Sequence, residues 1–255
     1  MNIDVCGLGF SYGLHTVLQD ISFSVKEGEL LSVLGPNGVG KSTLFKCMLG
    51  LLAGYTGSVR AGDKDTAKIP PRELARLFAY IPQAHHPIFN YAVLDVVIMG
   101  MAHQLETIVS PGKKQITAAH AALEQVGIGS LAAKNYLNLS GGEQQLVLIA
   151  RALAQQAGVL LMDEPTSNLD FGNQLLVLQE IRRLTHSGYT VIMSSHNPQH
   201  AMFFSDTILA LKDGRIAAWG APDQVMDEAL LRLLYGVDVR ITQTEHGRII
   251  VPVLK

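Results

Sequence analysis

The amino-acid sequence predicts an α/β fold in which a parallel sheet carries helices on its faces. The first indication is a short apolar run at residues 30–34, which has the composition of a strand buried on both sides. The second is an alternation of elements from residue 159 onward. Strands are predicted at residues 159–162, 190–194 and 207–212, and helices at residues 172–187 and 199–204. Strands separated by helices need crossover connections, and such connections produce parallel sheets.

The remaining elements follow from local patterns. Apolar residues alternate with polar ones through Ile21, Phe23 and Val25, as in a half-buried strand. Strands are predicted at residues 3–12 and 17–25, and a helix at residues 41–51. Residues 93–155 are predicted to be mostly helical, with the clearest helix at 115–126. Hairpins are predicted at residues 207–219 and 239–253. Residues 61–71 combine glycine, charged residues and a Pro-Pro pair, which predicts a linker.

The composition excludes several classes of protein. The chain has 255 residues with 20 Lys and Arg against 22 Asp and Glu, whereas dedicated nucleic-acid-binding domains are usually strongly basic. The sequence has no run of about 20 apolar residues and no N-terminal secretory signal. We therefore expect a soluble, cytoplasmic protein that reaches a membrane only through a partner. Cys6 and Cys47 both lie among apolar residues and are predicted to be buried thiols in a reducing compartment.

The segment at residues 35–42 has the pattern G-x-x-x-x-G-K-S, which is typical of a phosphate-binding loop between a strand and a helix. Its glycines let the backbone curl so that N–H groups point at a polyphosphate, and the helix start adds the positive end of its dipole. Lys41 is predicted to reach the β- and γ-phosphates, and the Ser42 hydroxyl to bind Mg²⁺. The loop comprises Gly35, Pro36, Asn37, Gly38, Val39, Gly40, Lys41 and Ser42, and Thr43 follows it. The structural alternative is a glycine-rich turn that only caps a helix.

Two carboxylates, Asp163 and Glu164, directly follow the apolar strand at residues 159–162. Parallel sheets bind ligands at the carboxyl ends of their strands. Asp163 is therefore predicted to lie near Mg²⁺, and Glu164 to polarise an attacking water. Acidic residues that merely cap a strand are the alternative for this pattern taken by itself.

A third motif, Leu139-Ser140-Gly141-Gly142-Glu143, precedes a long predicted helix. Ser140 is a predicted N-cap, and the N–H groups of Gly141 and Gly142 form a second helix start suited to an anion. In isolation, simple helix capping is the favoured explanation of this motif.

With these three motifs in this order, the sequence resembles the ATP-binding subunits of ABC transporters over nearly its whole length. The family's Walker A motif matches residues 35–42, its signature motif matches residues 139–143, and its Walker B motif with the catalytic glutamate matches residues 160–164. Four weaker positions agree in order and spacing: Tyr12, Gln83, Asp170 and His196. Asn197 stands where many relatives carry Asp, and Asn168 where Ala is common.

The resemblance implies a P-loop NTPase core of the ABC ATPase type, with a parallel sheet, an N-terminal antiparallel β subdomain and a helical subdomain that carries the signature. It implies one ATP-binding domain over residues 1–255. The helical subdomain is expected at about residues 84–145, and a C-terminal extension at about residues 220–255.

The resemblance also implies a mechanism in which ATP lies between two copies of the chain. The phosphate loop of one copy and the signature motif of the other close on the same nucleotide. Tyr12 is implied to stack on adenine, Gln83 to sense Mg²⁺ and water, His196 to contact the γ-phosphate, and Glu164 to act as the catalytic base. The expected cofactors are ATP and Mg²⁺, with Ser42, Gln83 and Asp163 around the cation.

Three stretches resemble the subclass that drives uptake of iron-siderophores, haem and cobalamin: residues 91–97 with Gly100, residues 145–151 and residues 234–239. We therefore expect an importer subunit that works as a homodimer on integral-membrane permease subunits, at the cytoplasmic face of the cell membrane. A periplasmic or surface substrate-binding protein is the expected further partner, and nucleic acid is not. The alternatives are a soluble ATPase of the Fe–S cluster assembly type and an ABC exporter subunit.

Residues 84–101 are the predicted contact with the permease, because the family places a groove for a permease helix between the Gln83 loop and the helical region. The apolar loop at residues 84–90, which includes Phe89, is expected to be covered by that partner. For Val96 and Val97, core packing and a partner contact are both open. His85 and His86 are expected to be solvated.

Overall fold

The computed structural model describes residues 1–83, 90–104 and 111–253, which divide into two compact units. The first unit comprises Met1–Ile69 and Thr185–Lys255, and the second comprises Pro70–Leu184. Phe89 and the His85-His86 pair lie outside the described residues. The predictions for them, and the predicted domain boundaries, stay predictions.

An antiparallel sheet forms the N-terminal part of the first unit, as predicted. Strand β1 (Ile3–Tyr12) pairs with β2 (His15–Val25) and β4 (Thr56–Ala61), and β4 also pairs with the short β5 (Lys64–Asp65). One face of this sheet is buried through alternate residues. Neither β4 nor β5 was predicted from the sequence.

Parallel strands form the centre of the first unit. Strand β3 (Leu30–Leu34) lies between β8 (Thr190–Ser195) and β9 (Thr207–Lys212) and runs parallel to both, while β10 (Arg215–Gly220) is antiparallel to β9. Every residue of β3 and β8 is buried, which is why these segments are predominantly apolar rather than alternating. Helix α1 (Lys41–Met48) follows β3, and α7 (Pro198–Phe204) follows β8. The predicted α/β fold class is confirmed.

The C-terminal part of the first unit adds two helices and a hairpin. They are α8 (Pro222–Val225), α9 (Glu228–Tyr235), β11 (Val239–Thr244) and β12 (Gly247–Pro252). The predicted hairpin is confirmed, whereas α8 and α9 were not predicted from the sequence. Leu230, Leu231 and Leu234 of α9 share a buried cluster with Leu34 at the end of β3.

The second unit is mostly helical, as predicted. It contains α2 (Pro71–Leu77), β6 (Phe78–Ile81), α3 (Val93–Met99), α4 (Lys113–Gln125), α5 (Gly141–Ala154), β7 (Val159–Met162) and most of α6 (Phe171–His186). Strands β6 and β7 pair in parallel, and α3, α4 and α5 pack against one another. Val96 and Val97 are 1% and 0% exposed, so both belong to the core of this unit.

The prediction of a linker at residues 61–71 is wrong for most of these residues. A tight turn joins β4 to β5, and a single 3-10 turn at Thr66–Lys68 follows, with Asp65 accepting a 3.1 Å bond from the Ala67 amide. Pro71 is the first residue of α2, a position at which proline is favoured. Glycine and proline therefore mark a hairpin turn and a helix start, although the boundary between the two units does fall at residues 69 and 70.

The two cysteines differ in their surroundings. Cys47 is buried in α1, and burial raises the pKa of its thiol to about 11. Cys6 is exposed, so the prediction of a buried thiol is wrong there. The reason is strand alternation, which turns Cys6 to the opposite face of β1 from buried Val5.

Across the described ranges, no helix combines the length and the apolar character needed to cross a membrane.

Candidate functional site

The predicted phosphate loop connects the buried end of β3 to the first turn of α1. Gly40 is the N-cap of α1 with φ 110°, and a Cβ there would come within 2.9 Å of Leu18 Cδ2. Both the backbone angle and the available space therefore require glycine. No acidic side chain lies in the first turn of α1, so the positive end of the helix dipole is not offset locally.

Lys41 supplies the charge of this loop from a buried position. Its side chain is 5% exposed, and its ammonium donates bonds of 2.8 Å to the Gly35 carbonyl and 3.2 Å to the Pro36 carbonyl. Neutral carbonyls are weaker partners for a cation than a phosphate is. The ammonium and the glycine backbone therefore fit a polyphosphate, while Ser42 and Thr43 are half-buried in the first turn of the helix.

The first unit also carries Tyr12 and His196. Tyr12 ends β1 with 48% of its side chain exposed, and its ring packs edge-on against Phe10 with centroids 4.8 Å apart. An exposed ring of this kind suits stacking on a base. His196 is exposed directly after β8, and its carbonyl accepts a 3.2 Å hydrogen bond from the Tyr235 hydroxyl.

Asn197 caps α7, the helix that begins after His196. Its Oδ1 atom accepts bonds of 3.0 Å and 3.2 Å from the amides of Gln199 and His200, which makes it the N-cap of α7. Pro198 occupies the first helical position. The departure from Asp at position 197 therefore leaves a functioning N-cap in place.

The acidic pair of the second unit lies at the end of β7, where both side chains are almost fully buried. Asp163 and Glu164 are 3% and 8% exposed. Asp163 accepts a 3.3 Å hydrogen bond from the Tyr80 hydroxyl. Burial first, and then the negative charge and hydrogen bond of Asp163, hold the pKa of Tyr80 well above its usual range. Asp163 offers the carboxylate oxygens that Mg²⁺ prefers in proteins.

Glu164 combines a strained backbone with a polar partner. Its φ of 47° is uncommon for a residue with a Cβ, and its carbonyl accepts bonds of 2.9 Å and 3.0 Å from the hydroxyl and amide of Ser167. Gln83 Nε2 donates a 3.1 Å bond to Glu164 Oε2. The structure thus brings together two residues that are 81 positions apart in sequence.

The signature motif is an ordered helix start. The Ser140 hydroxyl accepts a 3.3 Å bond from the Glu143 amide, and Glu143 Oε2 accepts 2.8 Å bonds from the Ser140 amide and hydroxyl. Bonds from the Ser140 backbone and then its side chain lower the pKa of Glu143. The predicted N-cap is confirmed. Gly142 is buried, whereas Gly141 is exposed. A Cβ at position 142 would come within 2.3 Å of Asn173 Oδ1, so the space there requires glycine.

Asp170 orders the turn before α6. Its two oxygens accept bonds of 2.9 Å and 2.6 Å from the amide and the side chain of Asn173. These two bonds lower the pKa of the Asp170 carboxyl.

Two tyrosines beside these residues, Tyr80 and Tyr235, were not predicted from the sequence. Tyr80 contacts Asp163 across 83 positions, and Tyr235 contacts His196 across 39. Neither tyrosine belongs to a local motif. The one available signal for Tyr80 is its place in a short apolar segment just before Gln83.

Comparisons with known proteins agree with this arrangement of motifs. The family model described as "ABC transporter" matches residues 18–167. "Hemin import ATP-binding protein HmuV" of Bordetella pertussis is 38% identical over 262 residues, which cover 98% of this chain and 99% of that protein.

Two solved structures are similar over most of the chain. A chain from a transporter described as of the metal-chelate type, in an inward-facing conformation, has a TM-score of 0.87 at 30% identity and covers 99% of this chain and 98% of its own. A dimeric ATP-binding cassette in a post-hydrolysis state, bound to ADP and Pi, has a TM-score of 0.73 at 26% identity and covers 86% and 98%.

Proposed function

Because this chain belongs to the ABC transporter family of ATPases, we propose that it drives an importer of a metal-chelate substrate. The similarity to a hemin import protein and to a metal-chelate type transporter supports both the direction and the substrate class. The hydrogen bond between Gln83 and Glu164, beside the buried Asp163, is the observation that carries the proposed chemistry.

In the proposed site, the residues of the phosphate loop bind the nucleotide. The loop amides and the Lys41 ammonium hold the β- and γ-phosphates, and Tyr12 stacks on the adenine. Ser42, Gln83 and Asp163 would hold Mg²⁺. When bound, Mg²⁺ neutralises charge on the β- and γ-phosphates.

Glu164 is the proposed general base for hydrolysis. Its carboxylate takes a proton from the attacking water, and Gln83 keeps that carboxylate oriented through the 3.1 Å bond to Oε2. His196 contacts the γ-phosphate and stabilises the charge that develops on it.

The proposed working form is a homodimer in which the partner subunit's Ser140 and its two glycines complete the site. Two helix N-termini and Lys41 then face the triphosphate in a dry interface, where electrostatic attraction is strong. The similar cassette that is a dimer bound to ADP and Pi supports a dimeric working form. We place the dimer on integral-membrane permease subunits at the cytoplasmic face of the membrane, with a substrate-binding protein as a further partner.

The first test replaces Glu164 by Gln, which preserves the shape of the side chain and removes the base. We expect phosphate release to fall by about 10²-fold or more while ATP binding persists and the nucleotide-bound dimer becomes long-lived. Glu245→Gln is the matched control, because Glu245 is 85% exposed in the turn between β11 and β12. Near-normal turnover of Glu164→Gln, assembled with the permease, contradicts the assignment.

The second test addresses import and substrate class. The chain is reconstituted with its permease in proteoliposomes, and ATP-driven uptake of haem, of a ferric siderophore and of cobalamin is measured. We expect uptake of one of these chelates, abolished by Glu164→Gln. Outward transport, or co-purification with soluble Fe–S scaffold proteins in place of a permease, contradicts the proposal.

A further inference from the structure

The segment that carries His196 is bonded to the C-terminal part of the first unit. The Tyr235 hydroxyl donates a 3.2 Å hydrogen bond to the His196 carbonyl. The backbone ladder of α7 begins one residue later, where the Asn197 carbonyl accepts a 3.2 Å bond from the Ala201 amide. The helix itself therefore does not fix the carbonyl of His196.

The residues on each side of His196 are already ordered by short-range bonds. Ser195 Oγ accepts a 3.1 Å bond from the Asn197 amide and donates a 3.3 Å bond to the Asn197 carbonyl. Asn197 in turn caps α7. Tyr235 thus acts on the peptide between β8 and α7, and losing its hydroxyl is expected to shift His196 without unfolding either element.

Tyr235 is itself held by a packed helix. Asp227 is the N-cap of α9 and accepts a 2.6 Å bond from the Leu230 amide, and three leucines of α9 lie in the buried cluster that contains Leu34. Leu34 directly precedes the phosphate loop. A donor on a rigid element preorganises the group that it bonds.

The C-terminal hairpin also holds α7. Gln199 Nε2 donates a 3.0 Å bond to the Arg248 carbonyl, and Gln199 Oε1 accepts a 2.8 Å bond from the Ile250 amide. The Gln199 side chain therefore pairs with β12 much as a neighbouring strand does. The hairpin turn reaches the other end of α7, where a Cβ on Gly247 would come within 3.0 Å of Phe203 Cε1.

We propose that Tyr235 is a positioning residue for His196, and that α9 and the hairpin of β11 and β12 orient this histidine. The proposal rests on the proposed function, in which His196 contacts the γ-phosphate. Tyr235 bonds the main chain of His196, so its proposed effect on the direction of the imidazole passes through the backbone. A contact that matters in the transition state changes kcat more than KM.

The test is Tyr235→Phe in the full chain, which keeps the ring in place and removes only the hydroxyl. We expect kcat for ATP hydrolysis to fall by about 3- to 10-fold, the effect of one hydrogen bond, while KM and the Kd for ATP stay within about twofold. Tyr55→Phe is the matched control. Its hydroxyl is buried and has no hydrogen-bond partner among the described residues, so this change is expected to leave kcat and KM unaltered.

A double-mutant cycle with His196→Ala separates positioning from a purely structural role. Single-turnover hydrolysis with excess protein keeps slow rates measurable. If Tyr235 acts through His196, Tyr235→Phe lowers the rate in the wild-type background and has no further effect in the His196→Ala background.

Equal losses in the two backgrounds overturn the positioning role of Tyr235, and so does a lower melting temperature with unchanged kcat. Both outcomes leave hydrolysis by the wild-type chain and its dependence on Glu164 intact. Loss of that dependence is instead the result that overturns the proposed function, so the two failures are distinguishable.

Discussion

The Tyr80 hydroxyl donates a hydrogen bond to the buried Asp163 carboxylate. We expect Tyr80→Phe to lower the free energy of unfolding by about 1–2 kcal/mol, because a hydrogen bond to a charged group is lost inside the protein. If Asp163 binds Mg²⁺, the cation compensates for the missing donor. The loss should therefore shrink when Mg²⁺ and ATP are added.

Thermal unfolding with and without Mg²⁺ and ATP measures this effect, with Tyr55→Phe as the control for removing a tyrosine hydroxyl. A destabilisation that is equal under both conditions contradicts a Mg²⁺-associated role for Asp163.

Candidate site residues could be identified from the sequence where the pattern that marks them is local. The spacing of the glycines before Lys41 and Ser42 identifies these two residues, and Glu164 is identified by its place after an apolar strand. The bond from Gln83 to Glu164 could not be predicted from the residues alone, because it depends on how β6 and β7 pair. The bond from Tyr235 to His196 could not be predicted for the same reason, because the two residues lie on different elements.

Helix α5 carries the proposed contact with the second copy at its N-terminus. We expect Gly141→Asp to leave ATP binding by the monomer intact and to abolish ATP-driven dimerisation and hydrolysis, because the added carboxylate faces the partner's γ-phosphate. Mixing this variant with Lys41→Ala should restore activity, since such a heterodimer keeps one intact composite site. Equilibrium binding, light scattering and phosphate release measure the three quantities.

Gly141→Ala is the control for the added side chain, because a Cβ at this position comes within 3.1 Å of Leu169 Cδ2. If Gly141→Asp abolishes ATP binding by the monomer, the proposed action on the partner's nucleotide is wrong.

Elements with strong apolar runs and clear ends were predicted well. The bounds of β3, β7 and β9 match the prediction, because each apolar run ends at a glycine, an acidic residue or another polar residue. Strand β4 was missed because its sequence, Thr-Gly-Ser-Val-Arg-Ala, has little apolar character and is stabilised by pairing on both sides. The four residues of β6 follow α2 without a breaker, so sequence periodicity gave no boundary.

At the scale of the whole molecule, the proposed transporter requires an exposed surface that receives the permease. Met99 is 44% exposed on α3, whereas Val96 and Val97 of the same helix are buried. We expect Met99→Asp to preserve the fold and ATP binding and to reduce assembly with the permease and transport by more than about tenfold, because the new charge must be desolvated at the interface.

Ile116→Asp is the matched control, since Ile116 is an exposed apolar residue on α4 with 39% of its side chain accessible. Assembly is measured by co-purification with the permease, and transport in proteoliposomes. Equal transport by the Met99 variant and wild type places the permease contact elsewhere on the chain.

If Glu164 is the general base that we propose, its left-handed backbone implies that thermal stability and turnover favour different residues at this position. This conformation costs a residue with a Cβ about 1–2 kcal/mol relative to glycine. Asn168, with φ 62°, is of a type that tolerates the region better. A glycine at position 164 relieves the strain and removes the carboxylate in one step. With Glu164 as the proposed base, directed evolution for thermal tolerance alone would therefore favour an inactive protein, so a screen for stabilised variants has to measure hydrolysis in the same round.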